Sequence, residues 1–79
     1  MGFQVHATVA LRKAPSEAIM TELDHKFGEA THPAGTRIVN LSEHVSMSGE
    51  ADAIEFVRAL VLDAVPPGSS ITEISATPA

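Results

Sequence analysis

The chain has no cysteine, tryptophan or tyrosine and three phenylalanines, and its 79 residues hold 5 Lys+Arg against 10 Asp+Glu, a formal charge of -5. Without cysteine there is no disulfide framework, no Cys-based zinc site and no thiol nucleophile. An aromatic content of 4% leaves no set of ring faces on which bases could stack. Scarce basic residues argue against nucleic acid or an anionic membrane as a partner, since both need Lys and Arg to neutralise phosphate. Long apolar blocks are missing too: runs such as Ala59 to Leu62 fall far short of the ~20 residues of a membrane span. Met1 to Leu11 alternates and has no basic leader, so it does not read as a targeting segment. These exclusions leave a small acidic protein, expected in the cytoplasm, with no cofactor and no metal implied by its composition.

Apolar residues make up 44% of the chain, enough for one modest core, and a chain of this length is expected to form a single domain over residues 1–79. Phe3, Val5, Ala7, Val9 and Leu11 alternate with Gln4, His6 and Thr8, the period of a strand with one face buried. Pro15 ends that strand. Ser16 reads as the N-cap of a helix with Glu17 in its first turn, where a carboxylate complements the helix dipole. Ile19, Met20, Leu23 and Phe27 make one helical stripe, Glu22 and Lys26 pair at i, i+4, and Gly28 is the expected stop.

Residues 28–35 read as a loop. Beyond it Val39, Leu41, Val45 and Met47 share one parity, while Asn40, Ser42, His44, Ser46 and Ser48 share the other. A hairpin turning at Ser42, Glu43 and His44 would pair Leu41 with Val45 and keep the apolar set on one face; a single bent strand is the alternative. Gly49 precedes a second helix with Glu50 and Asp52 in its first turn. Its apolar face is Ala53, Ile54, Val57, Leu60, Val61 and Ala64, and Phe56 and Leu62 fall off it. Pro66, Pro67 and Gly68 end the helix, and Ile71, Ile74 and Ala76 suggest a last strand with an initial kink, followed by a loose tail at Thr77 to Ala79.

Strand, helix, strand, strand, helix, strand has few compact solutions, because each helix supplies a right-handed crossover between parallel, non-adjacent strands. The expected fold is α+β, a ferredoxin-like βαββαβ two-layer sandwich: an antiparallel four-stranded sheet in order 4-1-3-2 with two helices on one face. The other face is left to Gln4, His6, Thr8, Asn40, His44, Ser46 and Ser75, polar and mostly uncharged.

Chemistry has few places to reside. The histidines at 6, 25, 32 and 44 show no ligand spacing with a carboxylate cluster, and solvated surface histidines explain them. Ser and Thr are plentiful, but no nucleophile elbow surrounds any of them. Arg12 and Lys13 with Ser16 stand between the first strand and first helix, where two cations can attract an anion or simply be solvated charges at a strand end.

Asn40 and Leu41, then Gly49 and Glu50 before a helix, then Pro67, Gly68 and the Ile71/Ile74 spacing, are similar in outline to the second half of the acylphosphatases, over about half of this chain. The Gly-rich phosphate loop and catalytic Arg of that family have no counterpart between Leu11 and Glu17, so the resemblance implies shared topology and no activity. ACT-type regulatory domains are also similar in topology and size. The functional expectation is a non-catalytic module acting through protein association, a homodimer included, or through small-ligand sensing, with Phe56 and Leu62 as candidate partner contacts. The alternative is a small enzyme acting on an anionic substrate near Arg12 and Lys13 or on the open sheet face.

Overall fold

The computed structural model describes residues 2–79. Six elements follow in the order β1 (Phe3–Ala10), α1 (Glu17–Lys26), β2 (Glu29–Thr31), β3 (Ile38–Val45), α2 (Glu50–Ala64) and β4 (Ser70–Pro78). The four strands form one antiparallel sheet in the order β2-β3-β1-β4, the expected 4-1-3-2 arrangement seen from the other edge. No helix among the described residues is long and apolar enough to cross a membrane.

β1 is central, paired with β3 on one edge and β4 on the other, and its alternation turns one face to the helices. Val5, Ala7 and Val9 point into the core beside Val39, Leu41 and Val45 of β3, and Leu23, Phe27, Ala53, Val57 and Val61 cover them from the helices. Burying each of these larger side chains stabilises the fold by about 1.5–3 kcal/mol, which chain entropy largely offsets. Ser16 caps α1 as its sequence position suggested, its hydroxyl accepting a bond from the Ile19 N–H at 3.2 Å. α2 starts at Gly49 with no side-chain cap, and Glu50 and Asp52 place charge in its first turn instead.

Five expectations are corrected. Residues 28–35 are not loop throughout: Glu29–Thr31 form β2 by pairing with Ser42, Leu41 and Asn40 of β3. No hairpin turns at Ser42, Glu43 and His44: β3 runs unbroken because all eight of its residues pair with β1, from Phe3 opposite Val45 to Ala10 opposite Ile38. The hairpin instead joins β2 to β3 through residues 32–37, where Gly35 takes φ 79 and the Thr36 N–H reaches the Pro33 carbonyl at 3.3 Å. Glu43 disguised the strand by putting a carboxylate on the core-facing parity. It is accommodated because Gly28 lies beside it without a side chain, and a Cβ there would sit 3.3 Å from both Glu43 Oε1 and the Ser42 carbonyl.

Gly28 is therefore a point of close approach and not a left-handed helix stop; α1 ends at Lys26, and Phe27 caps it in extended conformation with its N–H bonded to the Leu23 carbonyl. Thr77 to Ala79 is no loose tail: Thr77 pairs with Gln4, Pro78 with Phe3, and the Ala79 N–H donates to the Gly2 carbonyl at 3.0 Å. Leu60, placed on the buried stripe of α2 by its periodicity, is 38% exposed, and Ile54 is half-buried. The core of so short a chain is narrower than the apolar stripe that the helix offers it.

Candidate functional site

Two concave surfaces stand out among the described residues. The larger is an open cleft of about 640 Å³ at the end of the sheet where β1 meets α1, lined by Leu11, Arg12, Lys13, Ala14, Pro15, Ser16 and Ile19 on one side and by Pro66 and Pro67 on the other. Its two walls are distant in sequence. Pro66 to Ser69 forms a tight turn, with Pro67 and Gly68 at the centre, Gly68 at φ 87, and the Ser69 N–H and hydroxyl both directed to the Pro66 carbonyl. Proline followed by a residue of positive φ is the geometry of a type II turn. The Arg12 side chain lies against Gly68, so that a Cβ there would stand 2.9 Å from Arg12 Cγ and 3.1 Å from its Nε.

Arg12, Lys13 and Ser16, the residues expected to attract an anion, thus come together in this cleft, and the structure adds the two prolines and Ile19 as an apolar floor. Among the described residues the ion pair within 4.0 Å is Lys26 with Glu22 at 3.6 Å, so neither Arg12 nor Lys13 is neutralised by a carboxylate. Both cations are exposed. Ser16 spends its oxygen on the Ile19 N–H and is committed to the helix cap.

The second surface is the sheet face that the helices leave open. Gln4, His6 and Thr8 of β1 stand opposite His44, Ser42 and Asn40 of β3 and opposite Thr77, Ser75 and Glu73 of β4. β2 adds Glu29 beside Ser42 and Thr31 beside Asn40. Ser46 lies past the end of β3, exposed, and is not a member of the sheet. At the centre, Gln4 Nε2 donates to Ser42 Oγ at 2.6 Å, and the same oxygen lies 3.2 Å from His6 Nδ1. Thr8 Oγ1 donates to Asn40 Oδ1 at 3.1 Å. A shallow depression of about 230 Å³ opens among His6, Thr8, Glu29, Thr31, Asn40 and Ser42.

A serine hydroxyl against an imidazole is the beginning of a nucleophile, but the rest is missing here. Ser42 is 7% exposed, its backbone lies opposite Glu29 of β2, and the next main-chain donor, the His44 N–H, is bonded to Glu43 Oε1 at 3.2 Å, so no pair of free N–H groups is aimed at Ser42 to stabilise an oxyanion. What the cluster does is satisfy buried polar atoms, and none of those described is left unpaired.

The remaining singled-out residues do not gather. His32 is half-buried, and its Nδ1 donates to the Ile38 carbonyl at 2.8 Å, closing the β2–β3 loop. His44 covers Gly2, and His25 is exposed on α1. Phe56 and Leu62 are exposed by 46% and 53%, yet they lie about 120° apart around α2 and form no single patch. Sequence reasoning missed Ser42, Glu29 and Thr31 as neighbours of His6, because β2 is three residues long and carries no periodicity. It also missed Pro66 and Pro67 as the far wall of the cleft, for which no local signal exists.

No protein-family model matches this chain, and neither a curated protein nor a solved structure matches it.

Proposed function

We propose that this chain is a non-catalytic, ferredoxin-like binding module whose ligand is a small anion carrying an apolar body, seated in the cleft between the β1–α1 loop and the Pro66–Ser69 turn. One observation carries the reading: Arg12 and Lys13, without carboxylate partners in a chain of net charge -5, border a 640 Å³ cleft whose other walls are proline, leucine and isoleucine. Ligand cavities of about 300–1,000 Å³ are typically apolar with a few convergent polar groups. Arg supplies a planar fork suited to carboxylate or phosphate, and Lys a mobile point charge. The start of α1 at Ser16 borders the same cleft, and a helix N-terminus favours the same sign of ligand.

The test is a titration of the 15N-labelled protein with inorganic phosphate, butyrate and benzoate, each to about 10 mM, a range that captures weak complexes. Benzoate and butyrate are expected to shift amides in residues 11–19 and 68–69 more than phosphate does, and Arg12→Ala is expected to weaken that response about tenfold. No saturable shift with any of the three, or shifts unchanged in Arg12→Ala and Lys13→Ala, would reject the reading.

A second reading, an enzyme working on the open sheet face, draws on the contact between Ser42 and His6. The lack of free oxyanion donors around Ser42 weighs against it. Esterase activity towards an activated ester that disappears in Ser42→Ala and in His6→Ala, with the fold intact, would reverse that preference.

A further inference from the structure

We propose that the β4 edge is the interface for a second copy of this chain, the two β4 strands pairing antiparallel about a two-fold axis at Ser75 to continue the sheet through eight strands. The proposal is independent of the cleft and starts from which backbone groups β4 leaves unpaired. The Ala79 N–H donates to the Gly2 carbonyl, and the Leu11 N–H donates to the Arg37 carbonyl on the other side of β1. In an antiparallel ladder hydrogen-bonded and non-bonded pairs alternate. Even-numbered residues of β1 therefore bond to β4, so that Thr77, Ser75 and Glu73 turn their N–H and C=O groups inward to Gln4, His6 and Thr8. Ile74 and Ala76, opposite Ala7 and Val5, turn theirs outward to the free edge. Pro78 occupies an outward position as well, where its missing N–H costs the sheet nothing.

Two features bracket this edge. The register of β4 against β1 slips between Thr8 and Val9, which leaves Thr72 as the extra residue of a bulge. Pro78 closes the other end. Between them lies the regular segment Glu73–Ile74–Ser75–Ala76–Thr77, and Ser75 is its midpoint. A second copy paired about that midpoint sets Ile74 opposite Ala76 of its mate twice over, four N–H to C=O bonds in all. On the open face it sets Ser75 against Ser75 and Glu73 against Thr77, so no like charges meet. On the helix face it covers Ile74 and Ala76, which the monomer leaves half-buried. Moving the axis to Ala76 would ask Pro78 for an N–H it lacks, and moving it to Ile74 would run into the bulge.

A bulge and a proline commonly blunt exposed edges, and here they sit at Thr72 and Pro78 and confine edge pairing to the five residues between them, of which Glu73 alone is charged. α2 packs over β4 and β1, so the same axis brings the two α2 helices towards each other above the joined sheet. Pairing through one short edge buries less than a standard interface, and the expected dimer is a weak, concentration-dependent one.

The experiment is sedimentation equilibrium of the full chain from about 10 µM to about 1 mM. The mass is expected to rise from 8.3 kDa towards twice that value. Ala76→Pro removes an outward N–H and spares the β1 ladder, so it is expected to stay monomeric with an unchanged far-UV spectrum. Ser75→Lys and Ser75→Glu should each be monomeric alone, because each sets like charges opposite one another, and an equimolar mixture should form the heterodimer. A wild-type chain that remains at 8.3 kDa throughout, a dimer indifferent to Ala76→Pro, or a Lys/Glu mixture that stays monomeric while both variants are folded would each overturn the proposal.

Discussion

Arg12 lies across Gly68, its Cγ 2.9 Å from where a Cβ on that glycine would stand, and this contact ties the end of β1 to the turn that leads into β4. Gly68 is therefore constrained twice, by its φ of 87 and by its neighbour. Gly35 has a similar φ of 79 but nothing within 4 Å of its Cβ position, which makes it a control for backbone strain alone. Gly35→Ala is expected to cost about 1 kcal/mol in urea unfolding. Gly68→Ala is expected to cost about 1–2 kcal/mol more, since Arg12 must give way. Equal costs would mean that Arg12 moves aside freely and that the contact contributes nothing.

Ser42 is the shared partner of Gln4 and His6, and its removal leaves the half-buried Gln4 amide and the exposed His6 imidazole without the hydroxyl between them. Ser42→Ala is expected to lower stability by about 0.5–1.5 kcal/mol. Ser42→Thr keeps the hydroxyl and should recover part of the loss. A neutral Ser42→Ala would show that water replaces the hydroxyl without cost.

His32 donates from Nδ1 to the Ile38 carbonyl and closes the loop between β2 and β3. His32→Ala should cost about 1 kcal/mol and raise amide exchange in residues 32–38. Asn at this position carries its amide nitrogen where Nδ1 stands, so His32→Asn should retain most of the protection; equal loss in both variants would assign the effect to ring packing.

Leu23 is 1% exposed and its side chain is held against the sheet by the rest of the core. Leu23→Ala should cost about 2–5 kcal/mol, a large part of the stability of a domain this size. Phe56→Ala and Leu62→Ala, made at side chains exposed by 46% and 53%, should each cost less than about 0.5 kcal/mol in dilute solution. A larger and concentration-dependent loss at either position would show that α2 joins the contact between copies.

The helices, β1 and the polar quality of the open face are legible in the sequence because each is a local period: alternation from Phe3 to Leu11, and stripes through Leu23 and Val57. β2 is not, since Glu29–Thr31 becomes a strand only by pairing with Ser42, Leu41 and Asn40. Glu43 misled for a related reason. A carboxylate on the buried parity looks like a turn until Gly28 is seen to leave room for it. Of the candidate sites, the cations Arg12 and Lys13 stand out locally, whereas the apolar wall opposite them, Pro66 and Pro67, comes from the far end of α2.

The sequence by itself determined β1, both helices and the last strand, the capped start of α1 at Ser16 and the turn at Pro67–Gly68, because backbone sterics and hydrophobic period act within a few residues. Only the tertiary structure decided where the hairpin lies, that Ser42 sits between Gln4 and His6, and that Ile74 and Ala76 offer their backbone to the outside. Those depend on inter-strand register, which is set by the hydrogen bonds and packing of a partner strand distant in the chain.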